Sequence, residues 1–167
     1  MTGARTVRAA DVRPTAWANG GGTTRELAVA DDGAWRISLA DVDRDGPFST
    51  FAGRHRVLTV VEGPVLDLAV DGEPHVVEPQ RPFAFSGDAT VVGSVPEGPV
   101  RALNVLVDPA LVAPFVTVLE LGRSSTLPLA ADQAAYALTG EQSGTLVLGP
   151  GEVGGRSTVA VVTLERS

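Results

Sequence analysis

Short runs rich in Val, Leu, Ile and Thr recur about every ten residues along this chain, separated by Gly, Pro and Asp. Apolar stretches of that length and spacing predict an all-β sandwich or barrel. The runs place strands over Thr23–Val29, Trp35–Val42, His55–Glu62, Val65–Val70, Glu73–Val77 and Phe83–Phe85. Further runs follow at Thr90–Pro96, Arg101–Val107, Val116–Leu121, Ala134–Thr139, Gly144–Leu148 and Val159–Glu165. Alternation is clearest in Trp35–Val42, where Trp35, Ile37 and Leu39 share one face while Arg36 and Ser38 share the other. The helical signal is confined to Asp108–Ala113, an N-cap followed by Pro at the first helical position, with room for little more than a turn.

A weak internal echo divides the chain. The stretch Leu58–Gly63, followed by Val76–Pro82, resembles Ala137–Glu141 followed by Leu146–Glu152: strand, polar turn, strand, then a turn containing proline. Two such halves suggest a double-stranded β-helix, two stacked cupin-like barrels (a bicupin). The first would span residues 1–107 and the shorter second residues 108–167, packed as one unit. The second half is poorer in charged groups within its strands, so the chemistry is expected in the first.

Polar groups and glycines concentrate in Trp17-Ala18-Asn19-Gly20-Gly21-Gly22-Thr23-Thr24-Arg25-Glu26-Leu27. A turn needs one or two glycines and an Asn for positive φ; three glycines flanked by Asn, Thr and Glu also gather amides and side chains into a potential site. The plainer reading stays open: an Asn-Gly hairpin, Trp17 as a core anchor, and Thr24 and Glu26 on an exposed strand face. A phosphate loop is excluded, because it requires Gly-Lys-Ser/Thr opening a helix, whereas Thr-Arg-Glu-Leu-Ala-Val alternates like a strand.

Composition removes much chemistry. All 13 basic residues are arginine, so lysine Schiff bases and pyridoxal attachment are excluded. With no cysteine, so are thiol nucleophiles, disulfides and iron–sulfur ligation. A net charge of -7 opposes binding to nucleic acid, whose backbone is recognised by phosphate neutralisation. The first residues carry no apolar signal core and no run is long enough to span a bilayer, so a cytoplasmic protein without membrane contact is expected.

Arg36 and Ser38 point either into a barrel or to solvent, and Glu26 on the preceding strand can reach Arg36 across the ladder. On the surface that pair would contribute only about 0–1 kcal/mol. The connection Asp45–Arg56 carries Phe48 and Phe51 with Ser49, His55 and Arg56. Two phenylalanines in a Gly- and Pro-containing loop are costly to leave in water, so the loop either closes over a barrel mouth or plugs the barrel end. The two histidines, His55 and His75, cannot assemble a histidine-rich metal site, and no Gly-x-Ser-x-Gly supports a hydrolase triad. No metal or other cofactor is expected.

Taken in order, Trp17–Leu27, Trp35–Val42, Gly46-Pro47-Phe48-Ser49-Thr50-Phe51-Ala52-Gly53, Pro82–Asp88 and Leu103-Asn104-Val105 resemble the HutD/Ves family. The resemblance implies a double-barrel cupin-like fold without the metal-binding histidines of metallo-cupins, and an association with bacterial histidine utilisation. It also implies that small-molecule binding moderates that pathway. The family's polar positions fall on Asn19, Thr24, Glu26, Arg36, Ser38, Ser49, Arg56, Gly87, Asp88 and Asn104. Two departures stand out: His55 replaces an expected Asp, and the stretch from Ala102 to Asp108 lacks an acid and the basic residues that usually follow.

These observations lead to a non-catalytic binder of a small anionic metabolite of the urocanate or formylated glutamate type. Arg36 and Arg56 would hold the carboxylate, Asn19 and Asn104 would read polar atoms, and the loop carrying Phe48 and Phe51 would cover the pocket. Thr24, Glu26, Ser38, Ser49 and His55 complete the expected ligand-binding set. One alternative is a metal-independent isomerase or lyase with Glu26 or His55 as general base. Another is an interaction protein, and a homodimer stays open with it.

Overall fold

The structure is a computed structural model describing residues 5–167. Its strands, in chain order, are β1 (Arg5–Arg8), β2 (Thr15–Ala16), β3 (Gly22–Val29), β4 (Trp35–Val42), β5 (Gly46–Pro47), β6 (His55–Glu62), β7 (Leu66–Val70) and β8 (Glu73–Val77). They continue with β9 (Phe83–Ser86), β10 (Val91–Ser94), β11 (Val100–Val107), β12 (Val112–Leu121), β13 (Thr126–Leu129), β14 (Gln133–Ala137), β15 (Thr145–Leu148), β16 (Gly151–Gly154) and β17 (Ser157–Arg166). Among the described residues the helical content is one short 3-10 turn, Ala9–Asp11. The Asp108–Ala113 segment forms only a turn, in which the Asp108 carboxylate accepts the Ala110 amide at 3.0 Å, before β12 begins at Val112.

All strand pairs are antiparallel, and four sheets stack. A four-stranded sheet, β5-β10-β7-β8, faces a six-stranded sheet, β2-β3-β4-β11-β6-β9. The other face of the six-stranded sheet packs on a five-stranded sheet, β1-β15-β14-β17-β12, whose far side carries the pair β13-β16. Among the described residues no sheet closes on itself, so the architecture is all-β with open sheet edges rather than closed barrels. Alternation along each strand creates the cores between the layers. Leu58, Val60 and Ala102 meet Leu66, Leu68 and Val91 in the first. Ile37, Leu39, Leu103 and Val105 meet Tyr136, Leu146 and Val162 in the second. Burying one such Val, Leu or Ile contributes about 1.5–3 kcal/mol.

Strands β4, β6 and β8 coincide with the expected runs. Most short edge strands, β1, β2, β5, β13 and β16, have no counterpart among them. β1 also crosses the expected division at residue 107, because it pairs with β15 in the sheet built from the second half. A bulge interrupts the β3–β4 ladder between Glu26 and Ala28, and Leu27 and Ala28 are consecutively buried in the core between the six- and five-stranded sheets.

Candidate functional site

The register of the six-stranded sheet lays the polar residues out in transverse rows. Glu26, Ser38, Asn104 and Leu58 lie opposite one another across β3, β4, β11 and β6. One row along, Arg36, Leu106, Arg56 and Phe85 do the same across β4, β11, β6 and β9. Residues in these rows face a cavity of about 620 Å³ between the sheet, the Thr15–Asn19 segment and the loop carrying Phe48, Ser49 and Phe51. Asn19, Thr24, Glu26, Arg36, Ser38, Phe48, Ser49, Arg56 and Asn104 all line it. His55 does not: it precedes Arg56 on β6, so its side chain leaves the opposite face of the strand, and nothing about the cavity recruits it.

The two arginines in the cavity differ in kind. Arg36 pairs with Glu26 at 3.0 Å, with side chains 46% and 51% exposed. The bulge makes this a diagonal contact at the cavity rim, and its exposure limits its worth to about 0–1 kcal/mol. Arg56 is buried, 6% exposed. Its guanidinium lies 5.0 Å from the Phe51 ring centroid and 4.7 Å from that of Phe85, and donates to the Ser49 carbonyl at 3.1 Å. Among the described residues no carboxylate pairs with it, and its Nε is buried without a hydrogen-bond partner. That burial, disfavouring the charged form, pulls its pKa down to about 10. Arg56 therefore remains a cation at neutral pH. Nearby, Asn104 Oδ1 is also buried without a partner.

Several polar positions build the walls instead. Asn19 accepts the Gly21 amide at 2.8 Å and donates to the Pro47 carbonyl at 3.1 Å, tying the glycine-rich segment to the loop that carries Phe48. Trp17 donates its indole N–H to Thr24 Oγ1 at 2.9 Å and meets Phe48 edge-on at 5.5 Å. Gly87 exchanges backbone hydrogen bonds with Phe51 and Arg54, and Asp88 accepts the Gly53 amide at 2.9 Å. These contacts hold Phe51 over Arg56. The loop thus walls the cavity with both phenylalanines, and Phe48 also packs against the adjoining core.

A second polar cluster escaped sequence reasoning. Asp41 grips Arg101 through two hydrogen bonds, Nε at 2.7 Å and Nη2 at 3.1 Å, and Arg25 Nη1 at 3.0 Å. Burial opposes ionisation of Asp41, but its two arginines together outweigh it and hold the carboxyl below its ordinary value. These three residues lie on different strands, and only the pairing register brings them together. Among the described residues no group of three or more His, Cys, Asp or Glu is arranged to hold a metal ion.

The family model for HutD matches residues 9–157. An uncharacterized 21.2 kDa protein of the hutC 3' region in Pseudomonas putida is 39% identical over 116 residues, covering 65% of this chain and 60% of that protein. Protein Ves of Citrobacter koseri is 36% identical over 96 residues, covering 54% of this chain and 50% of Ves. The chain therefore matches between half and three-fifths of the length of these relatives. In structure it is similar to a conserved protein of unknown function from Pseudomonas aeruginosa, with a TM-score of 0.84, 27% identity and 98% of both chains covered. HutD from Pseudomonas fluorescens gives a TM-score of 0.77 at 30% identity, covering 96% of this chain and 98% of HutD. Ylba from E. coli, at 9% identity and a TM-score of 0.70, shares the fold alone. The match over nearly the whole strand order, with the glycine-rich segment and the Phe-bearing loop inside it, shows that this chain belongs to the HutD family.

Proposed function

We propose that this protein is a cytoplasmic, non-catalytic binder of a small anionic metabolite, held in the cavity of the first of two cupin-like halves, and that binding moderates histidine utilisation. The observation that carries this reading is Arg56: a buried cation without a counter-ion among the described residues, facing a cavity large enough for a small ligand. Glu26 and Arg36 neutralise each other, so the charged lining residues sum to one positive charge, that of Arg56. An entering carboxylate would compensate a charge that the fold leaves unpaired, and charge-assisted bonds to arginine are the strong class. Asn104, with its partnerless amide oxygen, supplies a polar contact for an N–H or O–H group next to the carboxylate. Family membership favours a urocanate or formylated glutamate type of ligand. The general-base alternative loses support, because His55 faces away from the cavity and Glu26 is engaged by Arg36.

Thermal unfolding with urocanate and formylglutamate tests the proposal. At a hundredfold excess over its dissociation constant, a ligand adds about 2.7 kcal/mol, or roughly 5–10 °C for a domain of this size. The rise should disappear in Arg56→Met, which keeps an apolar stem between Phe51 and Phe85 and removes the charge. Absence of any rise at millimolar acid, or an equal rise in Arg56→Met, would overturn the reading.

A further inference from the structure

On the opposite face of the same sheet from the Arg56 cavity, at the edge of the core joining the six- and five-stranded sheets, lies a second pocket of about 320 Å³. Its walls come from both halves of the chain: Arg25 on β3, Arg101 on β11, Tyr136 on β14 and the Ser143–Thr145 turn, with Arg8 and Glu62 at its sides. We propose that this pocket is an anion site, distinct from the Arg56 cavity, that takes a small oxyanion such as a phosphate or carboxylate group.

Three features support that assignment. The first is charge. Asp41 spends both oxygens on Arg25 and Arg101, so this trio keeps one net positive charge. Arg8 and Glu62 add one charge of each sign, and Arg8 reaches Asp11 only at 4.0 Å in an exposed pair. The second is an unmet donor. Arg25 Nε is buried and has no hydrogen-bond partner among the described residues, and a buried donor left unpaired forfeits the hydrogen bonds that water gave it in the unfolded chain. The third is preorganisation. Asp41 holds Arg101 through two hydrogen bonds and Arg25 through one, so an anion entering the pocket would meet guanidinium groups already tethered in place. Tyr136 adds its hydroxyl to the wall, and burial raises its pKa above the ordinary value against the opposing pull of Arg101.

The site rests on Arg25 and Arg101 and is independent of Arg56, so the Arg56→Met protein is the background for its test. In that protein, phosphate and acetate are titrated separately against chloride at constant ionic strength, and the melting temperature is followed. A saturable rise of about 3–6 °C at a tenfold excess over the dissociation constant is expected with at least one of the two oxyanions. The arm that responds distinguishes phosphate from carboxylate chemistry. Adding Arg25→Lys keeps a cation on Asp41 but removes the Nε donor, and should cut the rise at least fivefold relative to that variant's own anion-free baseline. In the protein labelled with 15N, the Arg25 Nε–H resonance should move with the same titration. A rise matched by chloride, no rise with either oxyanion, or a rise unaltered by Arg25→Lys would each overturn the proposal. None of these outcomes bears on the Arg56 reading, because the charge on which that reading depends is already gone.

Discussion

Gly22→Ala should destabilise this protein by about 2 kcal/mol, although it adds a single methyl at the first residue of a strand. Gly22 lies against Val42 of β4, and a Cβ placed on it would come 2.2 Å from the Asp41 carbonyl oxygen and 3.3 Å from Trp17 Cδ2. Contacting heavy atoms prefer roughly 3.5 Å, so the overlap exceeds about 1 Å. The obstructing atom is backbone and cannot rotate aside, and the Trp17 ring blocks retreat in the other direction. β3 must therefore separate from β4 where the ladder begins. Overpacking of this kind costs about 1–3 kcal/mol, here at the upper end, while Ala returns about 0.4–1 kcal/mol by restricting the unfolded chain. The net loss of about 2 kcal/mol lowers the melting temperature by roughly 4–8 °C. Urea unfolding followed by tryptophan fluorescence and far-UV circular dichroism measures it. Gly46→Ala is the control, because its nearest neighbour, Asn19 Nδ2, would lie at an ordinary 3.5 Å, and with no clash to offset the unfolded-state effect it should be as stable as the parent or up to about 1 kcal/mol more stable. A Gly22→Ala protein that stays within about 0.5 kcal/mol of the parent would refute the argument that close strand approach demands this glycine.

Two further outcomes follow from the ion pairs. Arg36→Ala should cost less than about 1 kcal/mol, since its pair with Glu26 is half exposed; a double-mutant cycle with Glu26→Ala giving more than about 2 kcal/mol of coupling would place that pair in a drier setting than the one described. Asp41→Asn should cost about 2 kcal/mol, between the exposed and buried limits, because its side chain is only 25% exposed. Since the folded state lowers the Asp41 pKa, its contribution is present above the unfolded value of 3.8 and is lost as pH falls through the lower folded value. The stability gap between parent and Asp41→Asn should therefore be full at pH 6 and shrink below about pH 4 in chemical denaturation; a gap that grows on acidification would contradict this sign.

Short Val-, Leu-, Ile- and Thr-rich runs located β4, β6 and β8, with alternation clear in β4 while β6 buries consecutive residues in the cores on both faces of its sheet, and that composition is a local signal. The edge strands β2, β5, β13 and β16 are two to four residues long, too short for any periodic signal to rise above turn composition. β1 was hidden for a different reason: its partner, β15, lies about 140 positions away, and such pairing leaves no trace in a run of four residues. Nine of the ten residues expected at a site line this cavity, yet their surroundings were not legible. Arg36 and Arg56 read alike as carboxylate holders, and only tertiary packing separates an exposed arginine paired with Glu26 from one buried between two rings. Asn19 and Asp88 belong to motif positions but spend their side chains on backbone groups of the loops, and Gly87 bonds through its own backbone, which composition cannot reveal. His55 failed because strand parity sends consecutive residues to opposite faces.

That parity also explains how one sheet carries two chemistries. Thr24 and Glu26 on β3, Ser38 and Ala40 on β4, and Ala102 and Asn104 on β11 face the cavity, while their neighbours Arg25, Asp41 and Arg101 form the ion cluster behind it. A slip of one residue along β3 would exchange the two sets and drive Arg25 into the cavity. The bulge at Leu27 sits next to Glu26, where the exchange would be most damaging. It lets Leu27 and Ala28 both enter the core shared with the five-stranded sheet. Because a register slip would have to expose that consecutive apolar pair or bury Glu26 and Val29 in its place, the bulge and the Asp41 cluster lock β3 from both sides of Glu26. The order of the cavity wall is thus secured by residues that never face the cavity.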